Sequence, residues 1–191
     1  QVSGFKEVLR ELDPSIPLVL QPGNHDIGQN PTRDDVERYV KIWGDDYFSF
    51  WVGGVLYISI NSQYYHIACD NDEAAELKRE QEIWLERELT SARTSGARHV
   101  VLLSHISPFM GDEDESHGWF NWAVAPRKWL LDLAKSAGVQ LWLCGHYHEN
   151  CVATSTSGIE VVTTNSCGSV INWKHPPSTI ATKEVRVSSL H

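Results

Sequence analysis

Three short apolar runs in this 191-residue sequence are each followed by a polar segment that carries histidine. The runs are residues 17–20, before Asn24 and His25; residues 100–103, before His105; and residues 139–144, before His146 and His148. Apolar runs of this length, interrupted here only by Gln140, predict strands that are buried on both faces of a parallel sheet. Because ligands bind such sheets outside the carboxyl ends of the strands, we expect these polar side chains to converge in space.

Helical patterns alternate with the apolar runs along the chain. Helices are predicted over residues 4–12, from a cap at Thr32 to Trp43, over 73–93, and from Pro126 up to Gly138. Further strands are predicted over 47–52, 55–60 and 159–164, and the pair Gly53-Gly54 predicts a hairpin between the first two. This alternation is typical of an α/β layered domain.

Charge and hydropathy exclude several classes of partner. With 16 basic and 25 acidic residues, the formal charge of −9 argues against a nucleic-acid backbone, although a phosphorylated substrate held by metal stays open. No run reaches the ~18 apolar residues of a membrane helix, and the first residues do not form a secretory signal. The four cysteines lack metal-site spacing, which favours reduced thiols in a cytoplasmic protein. Nothing in the sequence sets the oligomeric state.

The residue types after the apolar runs suit a divalent metal ion. His146 and His148 are two positions apart, so in an extended or turning segment both imidazoles point to one side. Imidazole nitrogen and the amide oxygen of Asn24 are ligands for zinc, manganese or iron. A single histidine at such a place is more often structural, and it is the set of four at three strand ends that indicates a metal site.

The ordered motifs resemble the later motifs of the calcineurin-like metallophosphoesterase superfamily. They are Gly23-Asn24-His25-Asp26, His105 after an apolar strand, and Gly145-His146-Tyr147-His148. The wider context, residues 18–28 and 43–56, is similar to the small cytosolic serine/threonine phosphatases of this superfamily, and the similarity runs from about Phe5 to about Gly168. The resemblance implies a four-layer α/β/β/α sandwich that holds two divalent ions (Mn, Fe or Zn) at the strand ends.

The resemblance also implies a role for each motif residue. Asn24, His105 and His146 would ligate one metal, and His148 would ligate the other. His25 would protonate the departing alkoxide or stabilise charge on the phosphoryl group, while Asp26 would orient the His25 ring and favour its protonated form. The implied reaction is hydrolysis of phosphomonoesters by a metal-activated hydroxide, with a phosphoprotein as substrate. Nucleotides or other small phosphoesters are the alternative substrates.

The sequence departs from the superfamily pattern at both ends. The Asp-x-His and Gly-Asp motifs that precede Gly23 in such enzymes are absent, so the expected domain, residues 1–170, is incomplete. Neutral Asn and His ligands offset none of the charge of two metal ions, which predicts weak or single-metal occupancy and keeps an inactive binding or scaffold protein as an alternative. Residues 171–191 are expected to form a divergent, loose tail.

Three other features receive structural interpretations. The acidic stretch 112–115 is expected to be a solvated surface loop, with His117 as a loop residue beside it. Trp119 and Trp122 are expected to pack in the core or at its rim, with a substrate wall as the alternative. His66 belongs to no motif.

Overall fold

Six strands form one mixed sheet in the computed structural model of this chain, which describes residues 2–66 and 71–166. The strands are β1 (Phe48–Val52), β2 (Val55–Ile60), β3 (His99–Ser104), β4 (Val139–Cys144), β5 (Cys151–Thr154) and β6 (Glu160–Thr163). Their order in the sheet is β1-β2-β3-β4-β6-β5. The four central strands are parallel, and β1 and β5 are antiparallel to their neighbours at the two edges.

The described helices precede, follow and connect these strands. They are α1 (Val2–Leu9), α2 (Asn24–Ile27), α3 (Arg33–Trp43), α4 (Gln63–His66), α5 (Asp72–Ala92) and α6 (Val124–Ser136). The predicted cap of α3 is confirmed, because the Thr32 side chain accepts from the Asp35 backbone N–H and the Asp35 carboxylate accepts from the Thr32 N–H. Asn71 caps α5 in the same way by accepting from Ala74 N–H.

The glycine pair between β1 and β2 forms the predicted hairpin turn. Gly53 and Gly54 have φ angles of 57° and 83°, which residues with a Cβ atom adopt only under strain. The hairpin brings Val52 opposite Val55 and fixes the register of the edge strand.

The main core lies between one face of the sheet and helices α5 and α6. Alternate residues of β2 face these helices, which is the two-residue period of a strand. The core side chains include Leu56, Ile58 and Ile60 of β2, Leu102 of β3, Trp142 of β4, Leu85 and Leu89 of α5, and Leu130 and Ala134 of α6. The α/β prediction is therefore confirmed, with a single sheet among the described residues where four layers were expected.

The first predicted strand is wrong. Residues 17–20 have no regular secondary structure, and the side chains of Leu18 and Val19 are 47% and 42% exposed. A strand requires a neighbour that takes up its backbone hydrogen bonds, and in the described part of the chain this segment pairs with none. Asn24 and His25 consequently start α2 and do not follow a strand.

Short elements account for the remaining differences. The sequence analysis did not predict α2, α4 or β5, each of four residues, and such lengths carry too few residues for a periodic pattern. The helix expected to begin at Pro126 begins at Val124. Residues 171–191, expected to be loose, lie outside the described residues, and no described helix has the length and apolar character to cross a bilayer.

Candidate metal centre

The carboxyl ends of the neighbouring strands β3 and β4 bring the predicted site residues together. His105 follows β3 directly, and His146 follows β4 by one residue. The Gly145 N–H donates to the His105 carbonyl over 2.9 Å and so joins the two loops. Asn24, the first residue of α2, meets them from a segment 81 residues upstream of His105. The expected convergence of these three side chains is what the structure shows.

Three donor atoms meet at the centre of this cluster. His105 Nε2 lies 2.9 Å from Asn24 Oδ1 and 3.2 Å from His146 Nδ1. A divalent ion with ligand bonds of about 2.1 Å has neighbouring ligand atoms about 3 Å apart in octahedral geometry. The observed separations fit such an ion, and nitrogen with amide oxygen is a suitable donor set. Among the described residues, histidine, cysteine and acidic side chains form no group of three that could hold a metal ion. The cluster has three donors because the amide oxygen of Asn24 joins the two histidines.

The second nitrogen of His146 fixes the orientation of its ring. Nε2 lies 3.0 Å from the carbonyl oxygen of Trp119 and donates to it, which leaves a lone pair on Nδ1 facing His105. Metal-binding histidines usually have such a second hydrogen bond, because it selects the tautomer and orients the ring. His146 also has a positive φ of 68°, a strained conformation for a residue other than glycine.

Burial keeps the two central imidazoles neutral. Burial, together with the nearby His146, His25, His148 and His66, lowers the pKa of His105 to about 3. Burial likewise lowers the pKa of His146 to about 4, against the opposing effect of its bond to the Trp119 carbonyl. A metal binds imidazole only in its neutral form, so both rings are ready for coordination at neutral pH.

His148 lies beside this cluster without bonding to it. Its charge would lower the pKa of both His105 and His146, which places it nearby. Its Nδ1 is buried and has no hydrogen-bond partner among the described residues, and its φ is 60°. A buried nitrogen without a partner is costly, and a ligand that accepts its lone pair would remove the cost.

His25 and Asp26 are both exposed at the edge of the cluster. The Asp26 carboxylate accepts the Gly23 N–H over 2.8 Å and closes the start of α2. No hydrogen bond joins the two side chains, because consecutive residues of a helix project in different directions. Asp26 therefore fixes the helix that presents Asn24 and His25, which differs from the direct contact with the His25 ring that the sequence analysis expected.

Sequence reasoning missed His66, which the fold brings to the same place. Its ring centroid lies 5.9 Å from that of His146, 5.7 Å from that of His117 and 5.5 Å from that of Trp119. His66 ends the short helix α4, for which the sequence carries no periodic signal, so no pattern in the sequence marked it. Of the two tryptophans, Trp122 is fully buried in the core as expected, whereas Trp119 is 55% exposed beside His146.

The acidic stretch is a surface loop, but its two glutamates, Glu113 and Glu115, accept structural hydrogen bonds. Glu115 accepts the backbone N–H groups of Met110 and Gly111 over 2.8 and 2.9 Å. Arg127, fully buried, donates to the carbonyls of Glu113, Glu115 and Trp122. These bonds fix the segment that carries the Trp119 carbonyl. The expected solvation holds for the exposed Asp112 and Asp114.

In sequence, the chain matches a phosphoesterase family model and proteins named as phosphatases. The family model described as calcineurin-like phosphoesterase matches residues 2–150. The chain is 42% identical over 168 residues to "Serine/threonine-protein phosphatase CPPED1" of Danio rerio, covering 88% of this chain and 53% of that protein. The Homo sapiens protein of the same name is 42% identical over 170 residues, with coverages of 88% and 52%. The chain thus spans about half the length of these relatives.

Solved structures support the fold at low sequence identity. A dimetal phosphatase from Danio rerio matches with a TM-score of 0.60 at 14% identity, covering 85% of this chain and 66% of that chain. A structure of PhoD matches with a TM-score of 0.51 at 17% identity, covering 78% and 36%. At these identities the likeness establishes the architecture alone.

Proposed function

The chain belongs to the calcineurin-like phosphoesterase family, and on this basis we propose that it forms part of a metal-dependent phosphomonoesterase acting on phosphoserine and phosphothreonine in proteins. The observation that carries the proposal is the convergence of three donor atoms beside the ends of β3 and β4. His105 Nε2 lies 2.9 Å from Asn24 Oδ1 and 3.2 Å from His146 Nδ1. The names of the relatives at 42% identity support the choice of a phosphoprotein as substrate.

These three side chains would hold one divalent ion, for which manganese, iron and zinc are the candidates. Such an ion supplies Lewis acidity toward the phosphoryl oxygens. The protein's contribution is to hold neutral donors in place: burial keeps His105 and His146 unprotonated, and the Trp119 carbonyl orients the His146 ring. His148, with its buried, unpartnered Nδ1, is the candidate ligand for a second ion in the family arrangement.

His25 is the candidate for the residue that supplies the proton required by the leaving group. Its exposed ring lies close enough to His105 to affect the pKa of that residue. Water attacks phosphorus and loses one proton to solvent, the bond from phosphorus to the ester oxygen breaks, and an N–H of the His25 ring passes its proton to that oxygen, after which the ring regains a proton from solvent. Asp26 contributes by fixing α2, through its bond to the Gly23 N–H.

A binding or scaffold protein is the second candidate function. None of the three converging donors carries a negative charge, so the cluster compensates none of the charge of a bound ion. Such a protein would bind a phosphorylated partner weakly through the same cluster and release no phosphate.

We place the protein in the cytoplasm. Cys144 and Cys151 are buried thiols without a disulfide bond, which fits a reducing compartment.

The function is tested with the protein that contains this chain at its natural length. The purified protein, supplied with Mn²⁺, should release phosphate from a serine-phosphorylated protein, and His146→Gln should abolish the release while the exposed His99→Gln leaves it unchanged. Turnover of small phosphate esters without release from phosphoprotein would overturn the substrate assignment. Absence of turnover on either substrate, with metal bound, would favour the scaffold.

A further inference from the structure

The backbone acceptor that orients His146 belongs to an exposed loop. The Trp119 carbonyl lies 3.0 Å from His146 Nε2, while residues 116–119 are exposed and form neither a helix nor a strand. Connecting segments of this kind are mobile unless side chains hold them, because no regular ladder of hydrogen bonds fixes their backbone. The direction of the Trp119 carbonyl therefore depends on the contacts that hold this loop.

Asn121 is the buried polar side chain that holds the loop from inside. It is 5% exposed, and both ends of its amide form hydrogen bonds. Oδ1 accepts the Gly118 N–H over 2.6 Å, and Nδ2 donates to the Ser116 carbonyl over 3.0 Å and to the Glu115 carboxylate. The amide thus connects the beginning, the middle and the end of the segment 115–121.

Asn121 is itself fixed to the segment that follows His105. Its backbone pairs with that of Ser107 in a short parallel bridge, two residues after His105. The next residue, Trp122, donates its indole N–H to the Ile106 carbonyl over 2.9 Å. Ser107, Ile106 and Trp122 are all fully buried, so the loop that orients His146 is anchored in the core beside the other histidine of the cluster.

The Trp119 carbonyl lies between two points that Asn121 fixes. Gly118, directly before Trp119, is held through its N–H, and Asn121 itself follows two residues later. With both flanks held, few backbone rotations can turn the carbonyl away from His146 Nε2. Loss of the Asn121 amide would release the Gly118 flank and restore those rotations.

We propose that Asn121 is a positioning residue for the metal ligand His146 and that it acts through the Trp119 carbonyl; this assignment rests on the proposed function. By fixing the acceptor for Nε2–H, Asn121 selects the tautomer of His146 that leaves the lone pair on Nδ1. Loss of a partner that orients a metal ligand lowers metal affinity about 10- to 100-fold.

The first test determines the His146 tautomer in the metal-free 191-residue chain. In the wild type, nitrogen NMR should show two well-separated ring nitrogens with the proton on Nε2. In Asn121→Ala the two chemical shifts should move toward each other as the tautomers mix. Thr156→Val is the matched control, because the exposed Thr156 bonds to Glu113, outside the segment 115–121, and it should keep the wild-type spectrum. A pure Nε2–H tautomer in Asn121→Ala would overturn the proposal.

The second test measures Mn²⁺ affinity by calorimetry. Asn121→Ala should bind about tenfold more weakly than the wild type, and Thr156→Val should bind equally well. Asn121→Leu keeps the volume of the side chain and removes its hydrogen bonds, so it preserves the packing of the loop where alanine leaves a gap. It should show the same loss of affinity and the same mixed tautomers. Wild-type affinity in Asn121→Leu would show that the side chain only fills space and would overturn the proposal.

The tautomer measurement separates this proposal from the proposed function. If the wild-type chain binds no Mn²⁺, the proposed metal site fails, while the spectra of the metal-free proteins still test Asn121. Mixed tautomers in both Asn121 variants, with a pure tautomer in the wild type and in Thr156→Val, would support its positioning role. A pure tautomer in all four proteins, or mixed tautomers already in the wild type, would overturn it.

Discussion

The His105 ring lies directly against Gly23. A Cβ atom at position 23 would stand 3.0 Å from Cε1 of His105 and 3.1 Å from both ring nitrogens. Contacts this short are tighter than ordinary packing allows, so the absence of a side chain at Gly23 determines where the imidazole sits. The glycine of the first motif thus positions a metal ligand from a distant part of the sequence.

Replacing Gly23 should therefore disturb the metal centre more than the fold. Gly23→Ala keeps an allowed backbone, because φ is −110°, but its methyl group would displace the His105 ring. We expect Mn²⁺ affinity to fall about tenfold or more, measured by calorimetry. Gly145→Ala is the matched control, since its Cβ would lie 3.8 Å from the nearest atom, the His105 carbonyl oxygen. Equal affinities of the two variants would contradict this account.

The metal-free protein should lose stability as the pH falls below about 6.5. His105 and His146 have folded-state pKa values of about 3 and about 4, against 6.5 in the unfolded chain. The unfolded chain therefore binds more protons between these values, and the free energy of unfolding falls by up to about 1.4 kcal/mol per pH unit for each histidine.

Urea unfolding of EDTA-treated protein between pH 7 and pH 4 measures this effect. His105→Asn should show a shallower pH dependence than the wild type, and the exposed His99→Gln should match the wild type. Identical slopes for wild type and His105→Asn would show that His105 is not held neutral by the fold.

His25 should affect turnover without affecting metal binding. Its side chain is exposed and lies outside the three converging donors. In the natural-length protein, His25→Ala should lower kcat by about 10²- to 10⁴-fold while the metal content stays unchanged. Loss of metal from this variant, measured by elemental analysis, would show that His25 supports the ions and is not the proton donor.

Arg127 should contribute strongly to stability. It is fully buried, and its guanidinium donates to three carbonyls of the segment that precedes α6. Arg127→Met should lower the free energy of unfolding by about 3 kcal/mol and speed amide hydrogen exchange in residues 112–122, because these carbonyls lose their donors.

The next residue, Lys128, provides a control for the Arg127 prediction. Lys128 forms an exposed ion pair with Asp114 at 2.7 Å, so Lys128→Met should change stability by less than about 1 kcal/mol. Similar losses for the two variants would contradict the role assigned to Arg127.

The long elements and the motif positions could be predicted from the sequence for physical reasons. The helix α5 spans 21 residues, and β3 and β4 are buried on at least one face, so each leaves a clear periodic or apolar pattern. Because both strands are parallel neighbours, the loops that carry His105 and His146 had to meet.

The remainder of the site depends on contacts that no local pattern encodes. Residues 17–20 have the composition of a strand but pair with no strand in the described part of the chain, and a strand needs such a partner for its backbone hydrogen bonds. His66 reaches the site through a helix of four residues, and the Trp119 carbonyl meets His146 through a loop held by distant hydrogen bonds. Asp26 looked like a partner of His25 in sequence, yet helix geometry directs it to Gly23.

The central claim is that Asn24, His105 and His146 bind one divalent ion. Calorimetric titration of the 191-residue chain with Mn²⁺ tests this claim most directly. We predict about one ion per chain, an affinity at least tenfold weaker in Asn24→Ala, His105→Asn and His146→Gln, and an unchanged affinity in His99→Gln. Two tightly bound ions per chain, or full affinity in any of the three ligand variants, would contradict the account.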